Sequence, residues 1–238
     1  MKRYAQAGIA IVIAFGACAV FTCSATAATI PWTVRGVESN GTAILDVADA
    51  NKLLGGQIPA STDVTGHFNV LNFNEPDNVV GGLFPNDSPF PGTSVGHEKN
   101  FAVNATAYVQ IPKAGNYTFG VSSDDGFALT VGSNTMSYPG LRSPGQSYAT
   151  FDFNKAGAYG VNLVYFQHTV NAEMELFASP GKYTRYGQSG SNFRLVGDTA
   201  HGGLALVHSV GTPIPEPSAL GLLLPITLGL LGRRRRAL

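Results

Sequence analysis

Ile111-Pro112-Lys113-Ala114-Gly115-Asn116-Tyr117-Thr118-Phe119-Gly120-Val121-Ser122-Ser123-Asp124-Asp125-Gly126-Phe127-Ala128-Leu129 is where the fold of this 238-residue chain is most legible. A turn rich in Pro, Gly and Asn leads into the β-prone run Tyr117 to Ser122. A second turn, Asp124-Asp125-Gly126, then releases the run Phe127 to Val131. Working outward, further short runs of period two or β-rich content fall at Phe101 to Ile111, Tyr148 to Phe153, Tyr159 to Phe166 and Ala172 to Ala178. Lys155-Ala156-Gly157 and Ser179-Pro180-Gly181 punctuate them. Short strands between such turns predict an all-β domain, an antiparallel sandwich or barrel. One helix is expected, over Val47 to Leu54, and residues 68–100, rich in Asn and Pro, read as a long ordered loop over one sheet.

Within the first run, Phe101, Val103, Ala105, Ala107, Val109 and Ile111 share one face and Asn104, Thr106, Tyr108 and Gln110 the other, so one face is buried and one wet. The same alternation in Ala172-Glu173-Met174-Glu175-Leu176 predicts a solvated face for both glutamates.

Composition excludes several classes of function. Gly and Pro together are about 18% of the chain, below the roughly 25–30% of low-complexity sequences, so a packed domain is expected. Six of the 15 Lys and Arg lie near the ends (Lys2, Arg3 and Arg233 to Arg236), whereas Glu216 is the only acid there. The body between carries a net charge of −5 and offers no basic stripe for nucleic acid. Five scattered histidines lack metal-ligand spacing and read as surface or structural residues. Gly187-Gln188-Ser189-Gly190-Ser191 misses the nucleophile-elbow pattern by one position, and no catalytic residue is assigned: the chain reads as no enzyme.

The ends read as addresses. Lys2-Arg3, an apolar run Ala7 to Phe21 and small residues up to Ala28 form the layout of a secretory signal peptide over residues 1–28, for the Sec machinery. Both cysteines, Cys18 and Cys23, lie within it, so an exported chain would contain none. Residues 29–212 are left as one domain. Residues 213–238 combine Pro215-Glu216-Pro217, an apolar stretch of 15 residues from Ser218 to Gly232, and Arg233-Arg234-Arg235-Arg236. As a helix that stretch is about 22 Å long, short of a hydrocarbon core of about 30 Å. Such a span, closed by arginines, suits a transient membrane anchor. This tail resembles the PEP-CTERM sorting signal of Gram-negative bacteria. The resemblance implies an exosortase as processing partner and a destination on the outer surface or in the extracellular matrix.

Adjacent carboxylates at Asp124 and Asp125 repel unless solvated or bridged by a cation. A hard cation with oxygen ligands, Ca²⁺ first, would resolve that conflict; a solvated turn is the plainer alternative that composition alone favours. The phrase Ile-Pro-x-Ala-Gly-x-Tyr-Thr-Phe, followed by Ser-Asp-Asp-Gly-Phe-x-Leu, is similar to the anthrax protective antigen fourteen-kilodalton domain family, which includes yeast flocculin and adhesin modules. Ala156 to Phe166 and Ala172 to Leu176 look like later strands of that fold, and the likeness runs over about residues 99 to 180. It implies a jelly-roll-related β-sandwich. In the lectin members it also implies a calcium ion held by an Asp-Asp pair joined by a cis peptide, the ion in turn holding sugar hydroxyls. Asp124 and Asp125 match that pair. A third ligand, an Asn in the lectins, would come from Gln167-His168-Thr169-Val170-Asn171, where Gln167 or Asn171 could supply an amide oxygen. The expected partner is carbohydrate, such as an exopolysaccharide; the rival expectation is a structural matrix spacer needing neither metal nor sugar.

Overall fold

A computed structural model describes residues 30–75, 82–93, 99–169 and 172–208. The residues of the expected signal peptide and sorting tail, and Asn171, lie outside the described residues. Two antiparallel sheets face each other. The larger runs in the order β2 (Ala60–Phe68), β1 (Trp32–Ser39), β4 (Phe101–Ile111), β9 (Gly157–Gln167), β6 (Phe127–Val131), β7 (Asn134–Tyr138). A short β12 (Leu206–Val207) also pairs with β4. In the smaller sheet the order is β11 (Arg194–Leu195), β10 (Glu173–Pro180), β5 (Gly115–Asp124), β8 (Gly145–Phe153), with β3 (Asn72–Asn74) also on β10.

The core lies between the sheets. Val34, Val103, Val109, Leu129, Leu163 and Tyr165 from one sheet meet Phe119, Val121, Phe151, Met174 and Leu176 from the other in one buried cluster. β4 shows the expected alternation, with Phe101, Val103, Ala105, Val109 and Ile111 buried and Thr106 and Tyr108 exposed. Each fully buried Val, Leu or Phe contributes about 1.5–3 kcal/mol, which makes this shared face the main stabilising term.

The expected helix α1 (Val47–Leu54) is present. Asp46 caps it by accepting the Asp49 N–H at 2.8 Å, and Gly55 ends it. Its Ala50 and Leu53 pack with Val37, Ala102, Val164 and Phe166 on the outer face of the larger sheet. That is why Ala102, on the nominally wet side of β4, is buried. The Val47 N–H also bonds the Pro139 carbonyl at 2.9 Å, bracing the β7–β8 loop.

The expectation for Glu173 and Glu175 is overturned: they are 2% and 0% exposed. Alternation holds, because Met174 and Leu176 face the core, but the opposite face of β10 is roofed by chain. The loop expected over residues 68–100 is a loop only in part: Asn72–Asn74 pair with β10 as β3, Phe90 packs in the core against Phe101 and Tyr165, and the Pro91 carbonyl lies against Gly36 of β1. Glu175 accepts the N–H groups of Leu83 and Phe84, both at 2.9 Å, so this stretch of it lies over the smaller sheet. Phe84, Phe177, Tyr186 and Phe193 then pack as a ring cluster above it. Glu173 accepts the Ser122 hydroxyl at 2.6 Å. Burial pushes Glu175 up to about 7, offset in part by the two N–H donors, and also raises Glu173.

These shifts set a pH dependence. An acid whose folded pKa is raised binds its proton more tightly when folded, so its contribution is full below its ordinary value of 4.5 and is lost as pH rises to about 7. The metal-free protein is expected to melt at a higher temperature at pH 5 than at pH 7.5, and Glu175→Gln to flatten the difference. Equal melting temperatures at the two pH values would contradict this assignment.

Candidate functional site

The Asp124-Asp125-Gly126 segment is not a hairpin turn. β5 belongs to the smaller sheet and β6 to the larger, so these residues carry the chain across the edge of the sandwich. The crossing is pinned from several sides. The Asp125 N–H donates to the Phe166 carbonyl at 3.3 Å and the Phe166 N–H to the Gly126 carbonyl at 3.1 Å. The Ser123 hydroxyl donates to the Asp125 carbonyl at 2.6 Å, and the Tyr165 hydroxyl bonds the Asp124 carbonyl. The peptide between Asp124 and Asp125 is cis. Both residues are 6% exposed.

The two carboxylates have different surroundings. Asp125 joins two loops: its Oδ1 accepts the Arg142 N–H at 3.0 Å and its Oδ2 the His168 N–H at 2.9 Å. Asp124 is held high, at about 7, first by burial and then by the charges of Asp125 and Glu173; Arg142 and a hydrogen bond from Gln167 act in the opposite direction. Glu173 is the cross-strand partner of Asp124, so three acids converge at one end of β5 and β10.

Arg142 is the cation that meets them. Its Nε donates to the Ser123 carbonyl at 3.1 Å, its Nη2 to the Ser123 hydroxyl at 2.6 Å and its Nη1 to the Ser147 hydroxyl at 3.0 Å. The guanidinium lies 4.8 Å from the Tyr138 ring centre and 5.5 Å from that of Phe127. Sequence reading missed Arg142. A lone Arg between Leu141 and Ser143 carries no motif, and only the fold brings it to the acids.

Gln167 comes beside Asp124. Its Oε1 accepts the Tyr165 hydroxyl at 3.0 Å and its Nε2 donates to the Thr169 carbonyl at 2.8 Å. Its amide oxygen therefore already has a protein partner. His168 bonds Asn100 through Nδ1 at 2.8 Å, in keeping with a structural histidine.

Asp124, Asp125, Leu141, Arg142, Ser143 and Thr169 line a shallow cleft of about 380 Å³. Leu141 is 48% exposed and offers an apolar lip beside the acids. The donor set a hard divalent cation would meet here is the Asp124–Asp125 pair, with both Asp125 oxygens already accepting backbone N–H groups. The cleft wall supplies two adjacent carboxylates, and carboxylate, amide and carbonyl oxygens are the ligands Ca²⁺ takes. Among the described residues no group of three His, Cys, Asp or Glu could hold a metal, so ligands beyond the Asp pair would be neutral oxygens from the 167–171 and 141–144 loops.

Residues 88–189 match the family model described as the PA14 domain. This segment is similar to the PA14 domain family. It contains the sheet crossing, the cleft and every contact of Arg142 given above, while β1, β2 and α1 precede it. Among solved structures, the PA14 domain of the MpAFP antifreeze protein has a TM-score of 0.56 at 17% identity, covering 76% of this chain and 93% of that one. The PA14 sugar-binding domain from an RTX adhesin has a TM-score of 0.47 at 17% identity, covering 76% and 96%. The epithelial adhesin 9 A domain from Candida glabrata, subtype-switched and in complex with β-lactose, has a TM-score of 0.46 at 10% identity, covering 73% and 91%. Likeness at these identities concerns the fold. No curated protein matches the sequence.

Proposed function

We propose that this is an exported, exosortase-sorted protein of the cell surface or extracellular matrix, whose PA14 domain binds carbohydrate non-catalytically through a calcium ion at Asp124 and Asp125. The observation that carries the reading is the pair of adjacent carboxylates, Asp124 and Asp125, lining a cleft beside Arg142, with the buried Glu173 behind Asp124 across the strand pair. A divalent ion there would neutralise the carboxylates, and its remaining positions would take vicinal sugar hydroxyls. Leu141 would contact the apolar face of the ring. Gln167 supports the site from beside Asp124, and Asn171 is the further amide that could reach the ion. Exopolysaccharide is the partner class expected in a matrix.

A glycan array probed in millimolar calcium and again in chelator tests the binding. Calcium-dependent signal on a subset of glycans is expected; identical patterns in both conditions would sink the mechanism. The sorting half has its own test. Deleting Arg233 to Arg236 is expected to alter membrane retention or processing, and an unchanged mature mass and location would count against it.

One observation favours the rival reading of a matrix spacer. Both Asp125 oxygens are already bonded to backbone N–H groups, which a purely structural brace would also require. Melting curves indifferent to both calcium and chelator would support that alternative.

A further inference from the structure

On the larger sheet, about 17 Å along β9 from Gln167, Thr33 pairs with Thr106, Thr106 with Asn162, and Asn162 with Thr130. These residues form one straight row across β1, β4, β9 and β6 on the sheet's outer face. At the lane spacing of a sheet the row is about 14 Å long. Thr33, Thr106 and Asn162 are exposed and Thr130 is half-buried. Among the described residues none of the three threonine hydroxyls has a hydrogen-bond partner, and Asn162 Oδ1 accepts Asn104 Nδ2 at 2.5 Å, which fixes the amide and leaves its Nδ2 as a donor.

The row lines an open groove. β1 begins and β12 ends in the same lane beside β4, so Ile30-Pro31 and Val207-His208 border the row at that side. The groove measures about 430 Å³, within the usual range of ligand sites. At one side stands Tyr108, 36% exposed, its ring against Gly160, where a side chain would meet it at 3.7 Å. The lining contains no Asp, Glu, Lys or Arg.

We infer that this groove is a second, metal-independent binding site for a neutral glycan chain lying across the strands. Each feature selects for that class. A row of hydroxyl and amide groups repeating at the strand spacing can pair with successive sugar hydroxyls, and a flat aromatic face stacks on the C–H face of a pyranose. A lining without Asp, Glu, Lys or Arg gives no compensation for the desolvation of a phosphate, carboxylate or ammonium, and Ile30, Pro31 and Val207 beside the hydroxyl row offer apolar contact for the C–H faces of a sugar chain. The ligand class is read from this lining alone and does not depend on calcium at Asp124 and Asp125.

The test is amide-shift mapping by NMR on the full exported chain, kept in chelator so that a calcium site is silent. The probes are cello-, laminari- and manno-oligosaccharides, with oligogalacturonate as the anionic comparison. The expected result is saturable shifts at Thr33, Thr106, Tyr108, Thr130 and Asn162 with at least one neutral probe and none with oligogalacturonate. Tyr108→Ala and Asn162→Ala should each weaken binding about tenfold with an unchanged melting temperature. No shifts up to about 10 mM, well above the roughly 1 mM constants of weak complexes, would overturn the inference. So would shifts confined to the Asp124 and Arg142 cleft, or contacts showing that the chain's own residues after His208 already fill the groove.

Discussion

Asp124→Asn together with Asp125→Asn is expected to remove calcium binding, and calcium-dependent glycan binding with it, while the sandwich stays folded. The two changes act differently on stability. Asp124 is a buried acid pushed up to about 7 by burial and by two neighbouring carboxylates, so its neutral isostere relieves repulsion in the metal-free protein. Asp125 uses one oxygen for Arg142 N–H and the other for His168 N–H. Asn can serve only one of them, which costs about 1–3 kcal/mol. The double variant should therefore melt no more than a few degrees below the parent in chelator, and should lose the upward shift that calcium gives the parent. An array signal that survives both substitutions would place sugar recognition elsewhere.

Gly126→Ala is expected to be the most destabilising single change near the site. A Cβ at this position would lie 2.5 Å from the Tyr138 carbonyl oxygen, 2.6 Å from that of Gly140 and 2.7 Å from the Phe166 ring. Two of the three neighbours are backbone, so the strain cannot be relieved by a rotamer change. The loop carrying Leu141 and Arg142 would have to move outward, and the Arg142 N–H would leave Asp125. The expected cost is about 3 kcal/mol or more, or roughly 6–12 °C in melting temperature for a chain of this size. Calcium affinity should fall with it. A melting temperature within about 2 °C of the parent would show that the crossing is looser than its contacts indicate.

The central part of the fold was open to sequence reading because its strands have both a repeating pattern and clear turn residues. β4 and β6 have the expected limits, β5, β8 and β9 extend the expected runs by a few residues, β10 starts one residue later and ends two later than expected, and α1 shows its cap and its glycine stop. The flanking strands were not legible. β2 (ASTDVTGHF) is mostly exposed at the sheet edge and has no apolar alternation to detect. In β1, Gly36 interrupts the pattern because the Pro91 carbonyl lies where its side chain would be. β7 was missed although Gly132-Ser133 forms a two-residue hairpin loop with Gly132 at φ +62°, a signal that was available.

At the site, the Asp pair could be found because two acids beside a glycine are conspicuous in sequence. Arg142 and Glu173 could not be found in the same way. Arg142 is 17 residues from Asp125 and acts through the β7–β8 loop. Glu173 sits in a strand whose alternation is the same whether its outer face is wet or roofed. What decides between the two is the Leu83–Phe84 backbone, held over the strand by Glu175. Alternation identifies opposite faces, and only tertiary structure says what covers them.

Calorimetric titration of calcium into the metal-stripped exported chain, beside the double Asp→Asn variant, tests the central claim most directly. The account predicts one-to-one binding with a dissociation constant of roughly 10⁻⁴ to 10⁻³ M, the range of extracellular modules, and no heat in the variant. No heat from the parent at several times about 1 mM calcium, or equal heat from parent and variant, would contradict it.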